Sequence, residues 1–238
     1  LKKLILGIVG EQGGGKDAVS SYLASRYGAA AHRFSDPINE CLKELGIENR
    51  RENQTMFSSL MRRGSSYDEG WDISVLRRET IVACLKRLHL LPTEEFRNRF
   101  QRLVIRHYGG VIPGFGRDVF SAILAERCER EANELVALNG IRLMPDAVDF
   151  TGLDGFRMLY VTAPADVRYE RVKKRGDRPG EIDMTWEQFQ AVETSETEVE
   201  IPDVGRIAQF RIDNTGTKDD LFARIDELFF NLVTSPTA

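Results

Sequence analysis

The sequence predicts an α/β fold in which a central parallel sheet is covered by helices on both faces. Three observations predict it. The run Leu4-Ile5-Leu6-Gly7-Ile8-Val9 is apolar on both faces instead of alternating, as a central parallel strand must be when helices lie above and below it. Further short apolar runs alternate with helical patterns along most of the chain, as strand-helix-strand units do. The first strand also passes directly into Gly10-Glu11-Gln12-Gly13-Gly14-Gly15-Lys16-Asp17, a glycine turn that opens a helix.

That turn carries the chemistry. Its glycines let the backbone aim N–H groups at an anion, Lys16 adds a mobile positive charge, and the helix N-terminus adds a partial one. A strand before, a helix after and the offset of Lys16 from Gly10 identify a phosphate-binding P-loop. Its nucleotide contacts are then Gly10, Gly13, Gly14, Gly15, Lys16, Asp17 and Ala18. The usual motif ends in a Ser or Thr whose hydroxyl ligates Mg²⁺, and here that position is Asp17. A carboxylate is also a hard oxygen ligand, so Asp17 can hold a metal directly or through water. The expectation is a three-layer P-loop NTPase fold.

Composition narrows the class. A chain of 238 residues suits one α/β domain with an insertion. The net charge of −4 argues against nonspecific nucleic-acid binding, so no nucleic-acid partner is expected. Cys41, Cys84 and Cys128 are widely spaced with no CxxC pair, which fits buried thiols in a reducing compartment. No apolar run is long enough to cross a bilayer, and Leu1 to Val9 leads straight into the glycine turn. A soluble, cytoplasmic protein is expected.

Along the chain, the first helix packs through Ala18, Val19, Tyr22 and Leu23 and ends near Gly28. Ala30 to Phe34 is a second strand that delivers Ser35-Asp36-Pro37. Carboxyl ends of parallel strands face the ligand crevice, so Asp36 can accept the proton of an attacking hydroxyl or organise Mg²⁺ water. It can equally cap the helix beginning at Pro37, and the two roles are compatible.

Residues 49–117 break the alternation. This arginine-rich stretch has two long helical patterns and no convincing strand, and it reads as a helical insertion on the acceptor side of a single domain. Arg99 and Arg106 are candidates to clamp an acceptor's phosphate, against the alternative of a solvated surface. The glycine-rich loop from Tyr108 to Gly116 is either a hinge or a plain connection. Arg117-Asp118 opens a helix with Val119, Phe120, Ile123, Leu124 and Cys128 as its buried stripe.

Glu134 to Leu138 forms a strand ending at Asn139, which can orient water but carries no charge. Beyond it, Arg142 either meets an anion or anchors Asp146 or Asp149. Arg157 to Thr162 is the next strand, followed by a helix on which Arg168, Arg171 and Arg175 share a face. With the polar turn that follows, residues 168–183 read as a closing lid in which Arg171, Arg175 and Arg178 neutralise a phosphoryl group in transfer.

Trp186 and Phe189 predict a helix that packs back on the body. Glu193, Glu196, Glu198 and Glu200 either pair with the lid or face solvent. Ile207 to Ile212 is the last strand, and the loop after it brings Asn214 and Gly216 near the P-loop, as base contacts or as a simple turn and cap. A final helix carries Leu221, Phe222, Ile225, Leu228, Phe229 and Leu232 at helical spacing.

Gly10-xxxx-Gly15-Lys16-Asp17, Phe34-Ser35-Asp36-Pro37, Asn139-Gly140-Ile141-Arg142, the arginines from Arg168 to Arg178, and Ile212-Asp213-Asn214-Thr215-Gly216-Thr217 occur in one order. In this the chain resembles the nucleoside monophosphate kinase-like group, and within it the deoxynucleoside monophosphate kinases and the dephospho-coenzyme A kinase-related proteins of archaea. The resemblance spans nearly the whole chain except the insertion. It implies ATP on Gly10 to Asp17, Mg²⁺ bridging its phosphates, a helical acceptor region, a closing lid, and Asp36 and Arg142 near the acceptor. Asn139 departs from the Asp that such relatives often carry in an Asp-Gly-x-Arg pattern.

Two functions are compatible with these residues. One is an ATP-dependent kinase that moves the γ-phosphoryl to a small phosphorylated acceptor, a nucleoside or deoxynucleoside monophosphate, with dephospho-coenzyme A as the alternative acceptor. The other is a regulatory NTPase without an acceptor, whose insertion binds a protein partner.

Overall fold

The computed structural model describes residues 3–50, 53–55, 57–58, 71–72, 111–112, 119–177, 180–195 and 197–234. These group into two units, residues 1–33 with 130–238, and residues 34–129.

The first unit is built on five parallel strands: β1 (Leu4–Val9), β2 (Ala30–Arg33), β5 (Leu135–Asn139), β6 (Phe156–Thr162) and β7 (Phe210–Asp213). Their order across the sheet is β2-β5-β1-β6-β7, and every neighbouring pair is parallel. After β1 the chain moves to one side of it for β2 and β5, then to the other side for β6 and β7. Strand order therefore reverses about β1, and the crevice of such a sheet opens at the carboxyl end of that strand.

Burial explains the unbroken apolar run of β1, where Ile5, Leu6, Ile8 and Val9 are at most 1% exposed. On one face Leu6, Ile8, Leu159, Val161 and Ile212 pack with Val19 and Leu23 of α1 (Lys16–Tyr27) and Leu221, Ile225 and Phe229 of the C-terminal helix Lys218–Thr234. On the other face Phe156 meets Phe150 of the helix Met144–Thr151, with ring centroids 5.6 Å apart. Gly205 of the short helix Ile201–Arg206 lies so close to Tyr160 that a Cβ there would come within 2.7 Å of the ring. Helices on both faces make the three layers that the apolar run predicts. The first strand has the expected bounds, and the others shift by one to three residues, most at the last strand, which begins at Phe210 and not at Ile207.

The second unit contains α2 (Asp36–Leu45) and α3 (Val119–Arg130). Arg127 of α3 forms a two-armed pair with Glu40 of α2, at 2.8 and 2.6 Å. Leu42, Leu124, Cys41 and Cys128 are buried, the cysteines as the sequence predicts. Numbering the remaining helices in order makes Met144–Thr151 α4, Ala165–Arg175 α5, Trp186–Glu193 α6, Ile201–Arg206 α7 and Lys218–Thr234 α8.

One expectation needs correction. The stretch expected to lack strands contains a two-residue antiparallel ladder, β3 (Trp71–Asp72) against β4 (Val111–Ile112). Each partner is too short to show a period of two, and pairing across 38 intervening residues leaves no local mark. Arg99, Arg106, Cys84 and most of the Tyr108 to Gly116 loop lie outside the described residues, as do Arg178 and Glu196.

Candidate active site

The glycine loop begins where β1 ends. Gly14 N–H donates to the Glu11 carbonyl at 3.0 Å, closing a tight turn, and Gly15 then caps α1 with φ 111°, a conformation that L side chains rarely adopt. A Cβ on Gly15 would also sit 2.4 Å from Asn214 Nδ2, and one on Gly13 (φ 80°) would sit 2.5 Å from the Arg168 carbonyl. The loop thus fits only as glycine because α5 and the β7 loop press on it. The N–H groups of Lys16, Asp17 and Ala18 open α1, where no earlier helical carbonyl exists to accept them. Lys16 Nζ lies 3.4 Å from the Glu11 carbonyl, on the loop it is expected to serve.

Asp17 and Asn139 meet at the neighbouring strand end. Asn139 Nδ2 donates to Asp17 Oδ1 at 2.8 Å. Asn139 is 3% exposed, and its Oδ1 is buried with no hydrogen-bond partner among the described residues. Burial alone would raise the Asp17 pKa, but Lys16, the Asn139 hydrogen bond, Arg33 and Arg175 together hold it below the usual carboxylate value. Arg33 ends β2 directly beside Asn139 in register. Sequence reasoning passed over Arg33 in favour of Asp36, although its place at the carboxyl end of a strand was the signal that could have found it.

Of the two residues expected near a nucleotide base, Asn214 turns inward and Gly216 is exposed. Asn214 is 6% exposed, and its Nδ2 donates to the Gly14 carbonyl at 2.9 Å. Its amide therefore braces the glycine loop. Arg171 donates to the carbonyls of Asn214 (2.8 Å) and Gly216 (3.0 Å), tying α5 to the same loop.

The arginines of α5 separate in role. Arg168 is 6% exposed, donates to the Ala163 carbonyl and is clamped two-armed by Glu193 under the ring of Phe189. Arg175 pairs with Glu181 and lies within electrostatic reach of Asp17. Of the acidic stretch, Glu193 thus pairs with α5. Glu198 instead pairs with Arg142 at 2.7 Å, and Glu200 accepts the Met144 N–H. Sequence reasoning missed Gln12 and Glu181, which join the glycine loop to the segment after α5.

Asp36 belongs to the second unit. It is the first residue of α2, with Ser35 as the N-cap, so the helix begins one residue earlier than Pro37 predicts. Asp36 adds to the charge that stabilises protonated Arg127. Among the described residues no group of three or more His, Cys, Asp or Glu side chains converges on a metal position, and no helix is long and apolar enough to cross a membrane.

Strand order, glycine turn and the lysine at its end define an α/β fold of the three-layer P-loop NTPase type. No protein-family model matches the chain. It is 25% identical over 147 residues to a UPF0200 protein of Hyperthermus butylicus, covering 62% of this chain and 74% of that one. To a UPF0200 protein of Sulfurisphaera tokodaii it is 25% identical over 114 residues, covering 48% and 62%.

Among solved structures it is similar to TT1252 from Thermus thermophilus (TM-score 0.48, 19% identity, 98% of this chain and 99% of that one). It is also similar to shikimate kinase from Acinetobacter baumannii in complex with shikimate (0.46, 15%, 97% and 94%). A third is dephospho-CoA kinase from Campylobacter jejuni (0.43, 13%, 96% and 96%).

Proposed function

We propose that the protein is a P-loop phosphotransferase that moves the γ-phosphoryl of ATP to a small phosphorylated acceptor, a nucleoside or deoxynucleoside monophosphate. The observation that carries the reading is the glycine loop with Lys16 at its end and Asp17 bonded to Asn139 beside it, where the charges of Arg33 and Arg175 also act on Asp17. Three cations beside one carboxylate at the crevice of a parallel sheet suit polyphosphate with a metal, because phosphoryl transfer is catalysed by positioning and charge neutralisation.

The residues fit the nucleotide and the ion. The first N–H groups of α1 cradle donor phosphates, and Lys16 follows the group in transfer. Mg²⁺, when bound, draws negative charge from the phosphate oxygens. Asp17 would hold it, directly or through water, and the buried unpartnered Asn139 Oδ1 supplies a second hard oxygen acceptor beside it. Arg175 neutralises the terminal phosphate, while Arg142, Arg99, Arg106 and Asp36 address the acceptor. Arg178 belongs to the same lid, and the segment 168–183 closes over the bound substrates and opens for product release. The single-domain reading, with 49–117 as the acceptor-side insertion, goes with this proposal.

Dephospho-coenzyme A is the alternative acceptor, on the resemblance of the Gly10 to Asp17 loop and the Asn139-Gly140-Ile141-Arg142 turn. A coupled ADP-release assay over a panel of nucleoside and deoxynucleoside monophosphates, with dephospho-coenzyme A included, tests both. Acceptor-dependent ADP release identifies the substrate, and slow release indifferent to every acceptor identifies a regulatory NTPase instead. Lys16→Ala should lower acceptor-dependent turnover by roughly a hundredfold or more with the fold retained.

A further inference from the structure

The tip of the glycine loop is held from outside the loop. Gln12 is 8% exposed, its carbonyl accepts from Arg168 Nη1 at 3.5 Å, and its Nε2 donates to Glu181 Oε1 at 3.3 Å. Its Oε1 is buried with no hydrogen-bond partner among the described residues, so the Glu181 contact is what orients the amide.

Glu181 lies outside any helix, in the turn after α5, and is 1% exposed. A carboxylate buried to that extent is costly unless donors surround it. Here they do. Arg175 reaches it through Nε at 3.3 Å and through a shorter bond from Nη2, the Asp177 N–H donates to it at 3.1 Å, and Gln12 Nε2 donates to it at 3.3 Å. Arg175 itself keeps its side chain 30% exposed, against 2% for its partner, so the buried carboxylate is the anchor and the guanidinium is the part presented outward. Arg175 Nε also lies 3.4 Å from the exposed Asp177 Oδ2, and the Arg175 charge reaches Asp17, next to Lys16.

We infer that Glu181 is a positioning residue for Arg175: held in place by Gln12 and the Asp177 N–H, it fixes the Arg175 guanidinium so that Arg175 meets the terminal phosphate of a bound nucleoside triphosphate. The charge of Glu181 never touches the nucleotide. It acts through geometry, by removing the rotamer freedom of a long side chain before the ligand arrives. The inference rests on the phosphate-binding reading of the loop and adds a residue to which that reading assigns nothing.

The test separates triphosphate from diphosphate binding. Calorimetry with the full chain, at millimolar Mg²⁺, measures Kd for AMP-PNP and ADP in the wild type, Glu181→Gln, Glu181→Asp, Arg175→Ala and the Arg175→Ala/Glu181→Gln double variant. Glu181→Gln and Arg175→Ala should each weaken AMP-PNP by about tenfold, the worth of one charge-assisted hydrogen bond, and leave ADP within about threefold. The double variant should be no worse than Arg175→Ala alone, because the two residues act as one unit.

Unchanged ADP affinity reports an intact loop in each variant. If Glu181→Gln does not fold, Glu181→Asp, one methylene shorter, carries the same comparison. A wild-type AMP-PNP/ADP ratio in the Glu181 variants, a ratio that rises, or full additivity with Arg175→Ala overturns the inference while leaving the nucleotide reading standing. Failure of the wild type to bind either nucleotide overturns that reading itself.

Discussion

Asn139 Nδ2 donates to Asp17 Oδ1 at 2.8 Å, across the gap between the end of β5 and the start of α1. The pair distributes charge in the reverse of the usual order: the carboxylate stands on the helix and the neutral side chain on the strand. A single negative charge beside Lys16 follows. Asn139→Asp would place two carboxylates at hydrogen-bond distance, where both cannot ionise at ordinary cost. That variant should melt several degrees below the wild type without metal, and Mg²⁺ with nucleotide should recover most of the loss. Asp17→Asn should remove the Mg²⁺ dependence of ATP affinity. Differential scanning fluorimetry and calorimetry, each with and without Mg²⁺, measure both effects.

Asn214 and Gly15 make a second coupled pair. Asn214→Ala leaves the buried Gly14 carbonyl without its donor, at a cost of about 1–3 kcal/mol, and should weaken nucleotide binding through a looser loop. Gly15→Ala should be worse, since its Cβ would meet Asn214 Nδ2 at 2.4 Å and φ is 111°. The double variant removes the collision but keeps the backbone strain. Its affinity for ADP should therefore fall between those of the two single variants.

Arg168 carries a stability prediction. Its side chain is 7% exposed and that of its partner Glu193 24%, so removing the guanidinium alone leaves a carboxylate poorly solvated. Arg168→Ala should cost about 3–5 kcal/mol in urea denaturation. Replacing both residues with apolar ones of similar size should cost much less. A loss of activity at unchanged stability would show instead that Arg168 serves the chemistry.

Asp226 predicts an acid-side response. The Tyr22 and Tyr27 hydroxyls donate to its Oδ1 at 2.8 and 2.7 Å, and these bonds, Tyr27 first, hold its pKa below the usual carboxylate value. A lowered folded pKa means that the contribution is present above the unfolded value and is lost as pH falls through the folded one. The wild type should therefore exceed Asp226→Asn in Tm at pH 7, and the difference should shrink below about pH 4. Melts across that range check the sign, and a difference that grows on acidification would exclude the linkage.

The sheet and its loop were legible because their causes are local. A short apolar run ending in a glycine turn fits a strand covered on both faces, and only glycine tolerates what surrounds residues 13 and 15, so Leu4 to Gly15 announces both its conformation and its place in the sheet. The order Gly10 to Asp17 likewise carries the phosphate-loop pattern from which a nucleotide site is expected before any fold is known. What the amino-acid order alone could not decide was the partner of each charge. Arg168, Arg171 and Arg175 look equivalent at helical spacing, yet Glu193, the carbonyls of Asn214 and Gly216, and Glu181 divide them into a buried strut, a tie and a presented cation. Gln12 and Glu181 meet across 169 positions. Such contacts depend on where the crossovers bring distant segments together, and a charged side chain carries no periodic mark of the distant group that will neutralise it.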